Sequence, residues 1–545
     1  MTRERPTPTG RNRDNLVLPG SLVRSGRAMA IGTLASRLTG FLRTVVIATA
    51  IGRTVGDSYN VANTLPNIVH ELLLGGVLTS VVVPLVVGAA RRDGDRGEGY
   101  AQRLLTVVVA GLSVASAIAV VFAPMLVRLY ADRHGFTTGQ TTLATSFARF
   151  FLPQILFYGV GALLAAILNT RGSFAPPMWA PVLNNLVVIA AGIAFFAATS
   201  GHAPVAGHLT RSATLILAVG TTAGIVVQTV ALVPSLRKSG FHWAWRPDLR
   251  GAGLGHAARL GGWVLVYVAA NQLAFLVITR LATRSGTFAI SAYVYAFILV
   301  SLPHAVVAVS VITALLPRMS AHAADGRLDR VATDLARGLK LSGVLLVPAE
   351  AACVAFGPLL ATVPFAHGHL RVADARLIGA TLAGYAVSLV PFSAFQLQLR
   401  AFYALQDTRT PALVNIGVNL VNVAADVALY LVLPAREKVV GLAIGYSVSY
   451  LVGCLVFAGL LRRRLDASRQ HVVRTYVRLG LAAVVAVLPA YALTRGVTAG
   501  LGLGPGAAFV ALAAGLGLGG GIYVRLAGRL RVPEVAAVVA TIRGR

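Results

Sequence analysis

Long apolar runs alternate with short polar segments along the whole chain, and the runs set the architecture. Fourteen of them approach or exceed the ~20 residues that cross ~30 Å of hydrocarbon. We place them at 28–52, 58–90, 104–127, 142–169, 178–200, 212–236, 260–283, 288–317, 341–365, 377–405, 411–433, 439–461, 476–495 and 505–527. In lipid each backbone N–H and C=O must be satisfied within the protein, so runs of this length are helices. The first run, GTLASRLTGFLRTVVIATAIG, carries Arg37 and Arg43 among apolar and small residues. A guanidinium at the bilayer centre costs roughly 2.5–3.5 kcal/mol on insertion scales, so both side chains are expected to face protein or water.

Composition agrees with a polytopic membrane protein. The chain has 545 residues, 56% of them hydrophobic and 12% charged. Its net charge of +29 would suggest nucleic acid in a soluble protein. Here the arginines concentrate in alternate segments: TRERPTPTGRNRDN, RRDGDR, RKSGFHWAWRPDLR, PRMSAHAADGRLDR, RRRLDASRQ and RLRVPE. All follow an even number of spans, and the loops after odd-numbered spans hold roughly a third as many positive charges, the asymmetry that marks cytoplasmic loops. Fourteen spans with both termini cytoplasmic satisfy the pattern, and no nucleic-acid partner is needed. Cys353 and Cys454 are too few for a disulfide framework and lack metal-ligand spacing, so they read as packing residues. Residues 1–25 read as a disordered basic cytoplasmic tail and residues 531–545 as a short cytoplasmic C-terminal tail.

The chain also repeats itself. Arg43 precedes Pro66 as Arg280 precedes Pro303, each proline in an LP pair, and both pairs are 237 residues apart (280 − 43, 303 − 66). Pro153 precedes Asn169 of NTR as Pro391 precedes Asp407 of DTR, now 238 apart (391 − 153, 407 − 169), and Asn184 maps on Asn422 at that offset. Six spans separate equivalent positions, so the halves share one orientation, as in transporters with two parallel lobes. The expected fold is therefore all-α and polytopic. It has two parallel-repeat six-helix lobes, 26–236 and 254–463, and two extra helices at 474–530. Pro66, Pro84, Pro153, Pro303, Pro317 and Pro391 lie inside or at the edges of spans, where a proline removes a hydrogen bond and can hinge a helix.

Helical spacing places Ser36, Gly40 and Arg43 on one stripe and Arg37, Gly40 and Thr44 beside it, with Val45, Val46 and Ile47 toward lipid. Arg280, near the outer end of span 7 with Arg284 just beyond, would approach the same cavity from the second lobe. The arginines outnumber the intramembrane acids near them, Glu71 and Asp57, so the cavity suits an anionic ligand. Arginine pairs bidentately with phosphate or carboxylate. A second feature is the amide and carboxylate of Asn422 and Asp426 at i, i+4, to which Ser447 and Asn271 would add oxygens. Cation binding, proton relay and a structural hydrogen bond are all open readings of Asp426. There is no HExxH, P-loop, GxSxG or DxxD cluster, which argues against an enzyme or an ATP-driven pump. His367 and His369 of AHGHLR read as an exposed polar loop.

ASRLTGFLRTVVIATAIG with DSYNVANTLPN, AAILNTRGSFAPPMWAPVLNN and FYALQDTRTP together resemble the MurJ/MviN family of bacterial lipid II flippases, within the MATE/Wzx-like exporter superfamily. The resemblance covers the membrane domain. It implies a fourteen-helix V-shaped fold with a cationic central cavity, in the bacterial plasma membrane. Spans 13 and 14 would form the groove for a polyprenyl tail. It implies substrate contacts at Arg37, Arg43 and Asp57, and at His70, where the family commonly has arginine; Arg280 and Arg284 are the basic residues the second half offers. Other departures are Thr44 and Gly75 where the family has acids, and Ile298 where it has an arginine. Asn422 and Asp426 resemble part of a sodium site in some members, with Ser447 and Asn271 as further oxygens. No cofactor is implied beyond a coupling cation, sodium or a proton, or the membrane potential. The implied partners are lipid II, membrane lipids and cell-wall synthesis proteins. The alternatives are an exporter of another polyprenyl-linked glycan or of a drug, and a non-transporting scaffold for wall synthesis.

Overall fold

The structure is a computed structural model that describes residues 19–72, 97–131, 134–199, 202–247, 254–465 and 471–535. Among the described residues it holds helices and no strands. In chain order these are α1 Pro19–Leu72, α2 Glu98–Val121, α3 Ala123–Tyr130, α4 Thr138–Phe151, α5 Gln154–Thr170 and α6 Ala175–Ala198. Next come α7 Arg211–Val230, α8 Val233–Lys238, α9 Leu254–Arg284, α10 Ala289–Ala324, α11 Leu328–Phe365 and α12 Val372–Ala386. The last five are α13 Leu389–Ala404, α14 Arg409–Val432, α15 Lys438–Leu465, α16 Val472–Leu501 and α17 Pro505–Arg529. Among the described residues twelve helical segments are long and apolar enough to cross a membrane, thirteen when the bent α12–α13 pair is taken as one span. The chain is a multi-pass membrane protein.

The difference from fourteen spans lies in α1. It carries the first expected span and the start of the second without an intervening loop, and the rest of that second span lies outside the described residues. The two parts meet at Gly52, with φ 65° and ψ −155°. This is a left-handed φ that side-chain-bearing residues rarely adopt. A Cβ there would also lie 3.2 Å from the His369 Cβ. Pro84, the RRDGDR loop and both expected tails, apart from residues 19–25 and 531–535, also lie outside the described residues.

Two other spans break. α4 gives way to α5 at Leu152–Pro153, and α12 bends by 49° into α13. Proline near each break removes an amide donor. At the second break the Glu350 carboxylate of α11 accepts the Val390 amide at 2.8 Å, satisfying one of the open donors at the start of α13. These are the fourth and tenth expected spans, which the repeat makes equivalent. The packing repeats as well: α1 lies on α6 and α9 on α14, while α6 lies on α7 and α14 on α15.

The helices α16 and α17 pack on each other and on α11. Ala482, Ala483 and Ala486 of α16 cluster with Tyr523 and Ala527 of α17, Ala490 clusters with Leu512, and Gly515 and Gly519 bring α17 against Thr494 and Ala490. Small residues permit this approach where no hydrophobic force between helices exists in lipid. Tyr476 and Tyr523 donate hydroxyl hydrogen bonds to the Leu339 and Val344 carbonyls of α11, both at 2.8 Å.

Candidate functional site

The most exposed face of α1 is the Leu34, Leu38 and Leu42 stripe, each more than half exposed. Its opposite side meets α6: Asn185 Nδ2 donates to the Ser36 carbonyl at 3.2 Å and to Thr39 Oγ1 at 3.0 Å, and Gly40 lies under that amide. The Val45–Ile47 side does not face lipid as expected. Ile47 is buried and packs near Gly192 of α6.

Above this contact two adjoining chambers open. The smaller, about 170 Å³, is lined by Arg43, Thr44, Tyr59, Gln154, Tyr158, Asn184 and Thr221 among others. Arg43 is its one charged lining residue and has no ion-pair partner among the described residues. Gln154 Oε1 and Asn184 Oδ1 are buried acceptors without a partner. An unpaired guanidinium beside unused amide oxygens suits an anion that also carries hydroxyl groups.

The larger chamber, about 460 Å³, shares Asn60, Asn63, Asn67, Val294 and Ile298 with the first. It continues to Glu71, Asn271, Gln272, Asn419, Asn422 and the rings of Tyr293, Tyr385, Tyr446 and Tyr450. Ile298, where the resemblance leads one to expect arginine, presents an apolar wall to both chambers.

The other expected contacts stand elsewhere. Arg37 is exposed on α1 and lines neither chamber. Arg280 is half-buried and Arg284 exposed, and neither lines a chamber. They sit in the last turns of α9, beyond the chamber wall formed by Asn271 to Ile278. The His70 ring lies against Tyr158 at 4.3 Å, one layer behind the lining. Asp57 is 1% exposed, and its carboxylate accepts the Phe288 and Ser291 amides at 2.6 and 3.2 Å and the Ser291 hydroxyl at 2.7 Å. It caps the N-terminus of α10, where the helix dipole favours a negative charge, and so has no free oxygen for a ligand. Asn60 joins the same knot, donating to Ser291 Oγ at 3.1 Å and the Tyr295 hydroxyl at 3.3 Å.

Around this knot the first half is tied to the second. Arg53 pairs with Asp374 at 3.2 Å, and the His369 amide donates to the Thr49 carbonyl at 2.8 Å. The AHGHLR loop is therefore a docked segment, with the His369 ring against Phe196 at 5.0 Å.

The Asn422–Asp426 pair lies on α14, with Asn422 at the wall of the larger chamber and Asp426 one turn further along the helix. Asp426 is fully buried, and both its oxygens and Asn422 Oδ1 have no partner. Gly445 of α15 lies so close that a Cβ there would strike the carboxylate. Three unused oxygens fit a small hard cation or a single proton. Ser447 and Asn271 are engaged in other hydrogen bonds: Ser447 donates to the Gly384 carbonyl at 2.7 Å, and Asn271 Oδ1 accepts from Asn415 and Asn419 at 3.0 and 2.8 Å. No cluster of three or more His, Cys, Asp or Glu suited to a metal occurs among the described residues.

Comparison with known proteins places this architecture. The family model described as lipid II flippase MurJ matches residues 47–502. The chain belongs to the MurJ family. It is 28% identical over 469 residues to the lipid II flippase MurJ of Burkholderia cenocepacia, covering 83% of this chain and 86% of that protein. The probable lipid II flippase MurJ of Bdellovibrio bacteriovorus is 26% identical, covering 90% and 92%. Among solved structures, an inward closed lipid II flippase MurJ superposes with a TM-score of 0.73 at 17% identity, covering 95% of this chain and 99% of that one. An inward-facing multidrug-resistance MATE transporter gives 0.62 at 17% identity, covering 79% and 95%. The structural likenesses show that this fold is shared with MurJ and with MATE transporters.

The MurJ-family chamber also holds residues that sequence reasoning missed. Asn60, Asn63 and Asn67 were visible as three amides at helical spacing in NVANTLPN. Tyr446 and Tyr450 form an i, i+4 pair in span 12, but aromatic residues in membrane helices usually signal packing, and only the fold brings them beside Tyr293 and Tyr385.

Proposed function

We propose that this MurJ-family chain is a flippase that moves a polyprenyl-pyrophosphate-linked peptidoglycan precursor, lipid II, from the cytoplasmic to the outer leaflet of a bacterial plasma membrane. The observation that carries the proposal is Arg43: a guanidinium with no ion-pair partner, lining a chamber between membrane helices. In this reading Arg43 holds the pyrophosphate, Arg37 attracts it at the open edge, and the amides of Gln154 and Asn184 accept sugar hydroxyls. The lobes 26–236 and 254–463 rock about the chamber by alternating access. The Asp57 knot, the Arg53–Asp374 pair and the His369–Thr49 contact would hold one side shut and must part for the chamber to open there. The helices α16 and α17 would carry the apolar tail, and both termini would be cytoplasmic. A cation or proton at Asp426, or the membrane potential, supplies the bias for resetting. One charge across 100 mV is about 2.3 kcal/mol. No covalent chemistry is required.

The test is Arg43→Ala and Arg37→Ala in cells that depend on this protein, with lipid II exposure in the outer leaflet measured beside binding to the purified protein. We expect Arg43→Ala to weaken headgroup binding by roughly tenfold to a hundredfold, the loss of about 1.5–3 kcal/mol of charge-assisted contact, with unchanged thermal stability. Unaltered exposure and growth in both variants would remove the transport reading and favour the scaffold. Retained export of a cationic drug would favour the drug exporter.

A further inference from the structure

The two chambers are opposite in charge. Arg43 is the one charged side chain among the described lining residues of the smaller chamber, and Glu71 the one among those of the larger. Asn60, Asn63 and Asn67 line both, so the poles belong to one continuous space along the second part of α1. Glu71 is exposed to that space. Gln272 Nε2 donates to its Oε2 at 2.9 Å, which fixes the carboxylate and leaves Oε1 without a partner among the described residues. No lysine, arginine or histidine is among the described residues that line its chamber.

A carboxylate inside a membrane domain is costly unless it is paired or used. Beside it stand the rings of Tyr446 and Tyr450, 4.6 Å apart, whose faces attract an ammonium group. Neutral sugars need amides and rings but no charge. A carboxylate with one free oxygen, next to aromatic rings and opposite a lone guanidinium, is matched by a zwitterion.

We propose that Glu71 binds a protonated amine carried by the translocated headgroup, at the far end from the phosphate held by Arg43. This inference rests on the flippase reading and narrows it. The preferred substrate is a glycan lipid bearing an amino-acid side-chain amine, rather than an amine-free polyprenyl-linked glycan. Glu71 and Tyr450 are its specificity residues, and Gln272 positions the carboxylate.

The experiment compares two probes on the full chain in lipid nanodiscs. One is a polyprenyl-pyrophosphoryl disaccharide whose peptide carries a free side-chain amine; the other is the same lipid with that amine acetylated. We expect the unaltered protein to bind the free amine roughly five- to tenfold more tightly. Glu71→Gln keeps the shape and the hydrogen bond from Gln272, and should abolish that preference while leaving the acetylated probe unchanged. Arg43→Ala should weaken both probes alike. Equal binding of the two probes by the unaltered protein would overturn the proposal. So would an equal loss of both in Glu71→Gln, which would indicate an inorganic cation or a structural role at Glu71. If Arg43→Ala changes neither probe, the flippase reading itself fails, an outcome separate from the other two.

Discussion

Asp57 and Asp426 are both buried in the membrane domain, yet their surroundings are opposite. Asp57, in the first half, has both oxygens filled by donors from the start of α10. Asp426, in the second half, has neither oxygen filled and is closed over by Gly445. An unpartnered carboxylate in low dielectric is strongly destabilising, whereas one that accepts several N–H and O–H donors holds elements together. The first site is a joint between the halves; the second, in the function proposed above, would take a positive charge that comes and goes.

Mutation should separate them. The largest expected effect is Asp57→Ala, which strands the Phe288 and Ser291 donors. We expect a loss of about 3 kcal/mol in thermal unfolding of the detergent-solubilised protein, and a wild-type-like midpoint would deny the joint. Without a bound cation, Asp426→Asn should raise stability by about 1–3 kcal/mol, because it removes an unpartnered buried charge and loses no hydrogen bond. In sodium titrations the unaltered protein should rise in melting temperature by mass action and the variant should not. A sodium response that survives the substitution would move the cation elsewhere.

The smallest effect tests a carboxylate outside the spans. Asp407 precedes α14, accepts the Thr410 amide at 2.9 Å and pairs with Arg464 at 2.5 Å. Partial burial pushes its carboxyl up, but the Thr410 and Arg464 hydrogen bonds outweigh this and hold it below the usual carboxylate range. A lowered folded value means that the stabilisation is present above the unfolded value and is lost as pH falls through the folded one. Stability should therefore decline on acidification below about pH 4, by about 1 kcal/mol or less, and Asp407→Asn should lack that component. An identical acid profile in the variant would show that the pair contributes nothing.

Much of the fold was legible because lipid imposes a simple rule on the backbone: spans must be long apolar helices, so their positions follow from hydropathy. The repeat was legible too, since Arg43–Pro66 and Arg280–Pro303 keep their spacing. The joint at Gly52 was harder, because a single glycine between apolar residues resembles any small residue in a span. The site was read only in part. Arg43 stood out as a charge inside an apolar run. Arg280 has the same signature and the repeat-related position, yet does not line the chambers.

The sequence by itself determined that the chain crosses the membrane many times, that its halves repeat, and that intramembrane charges must turn away from lipid. Those follow from local composition and the cost of bare polar groups in hydrocarbon. Only the tertiary structure decided which charges are satisfied. The donors that fill Asp57 come from residues 231 and 234 positions away, and the chamber wall facing Arg43 is assembled from helices of both halves. Partners that distant are chosen by how the helices pack, and no spacing along one helix encodes them.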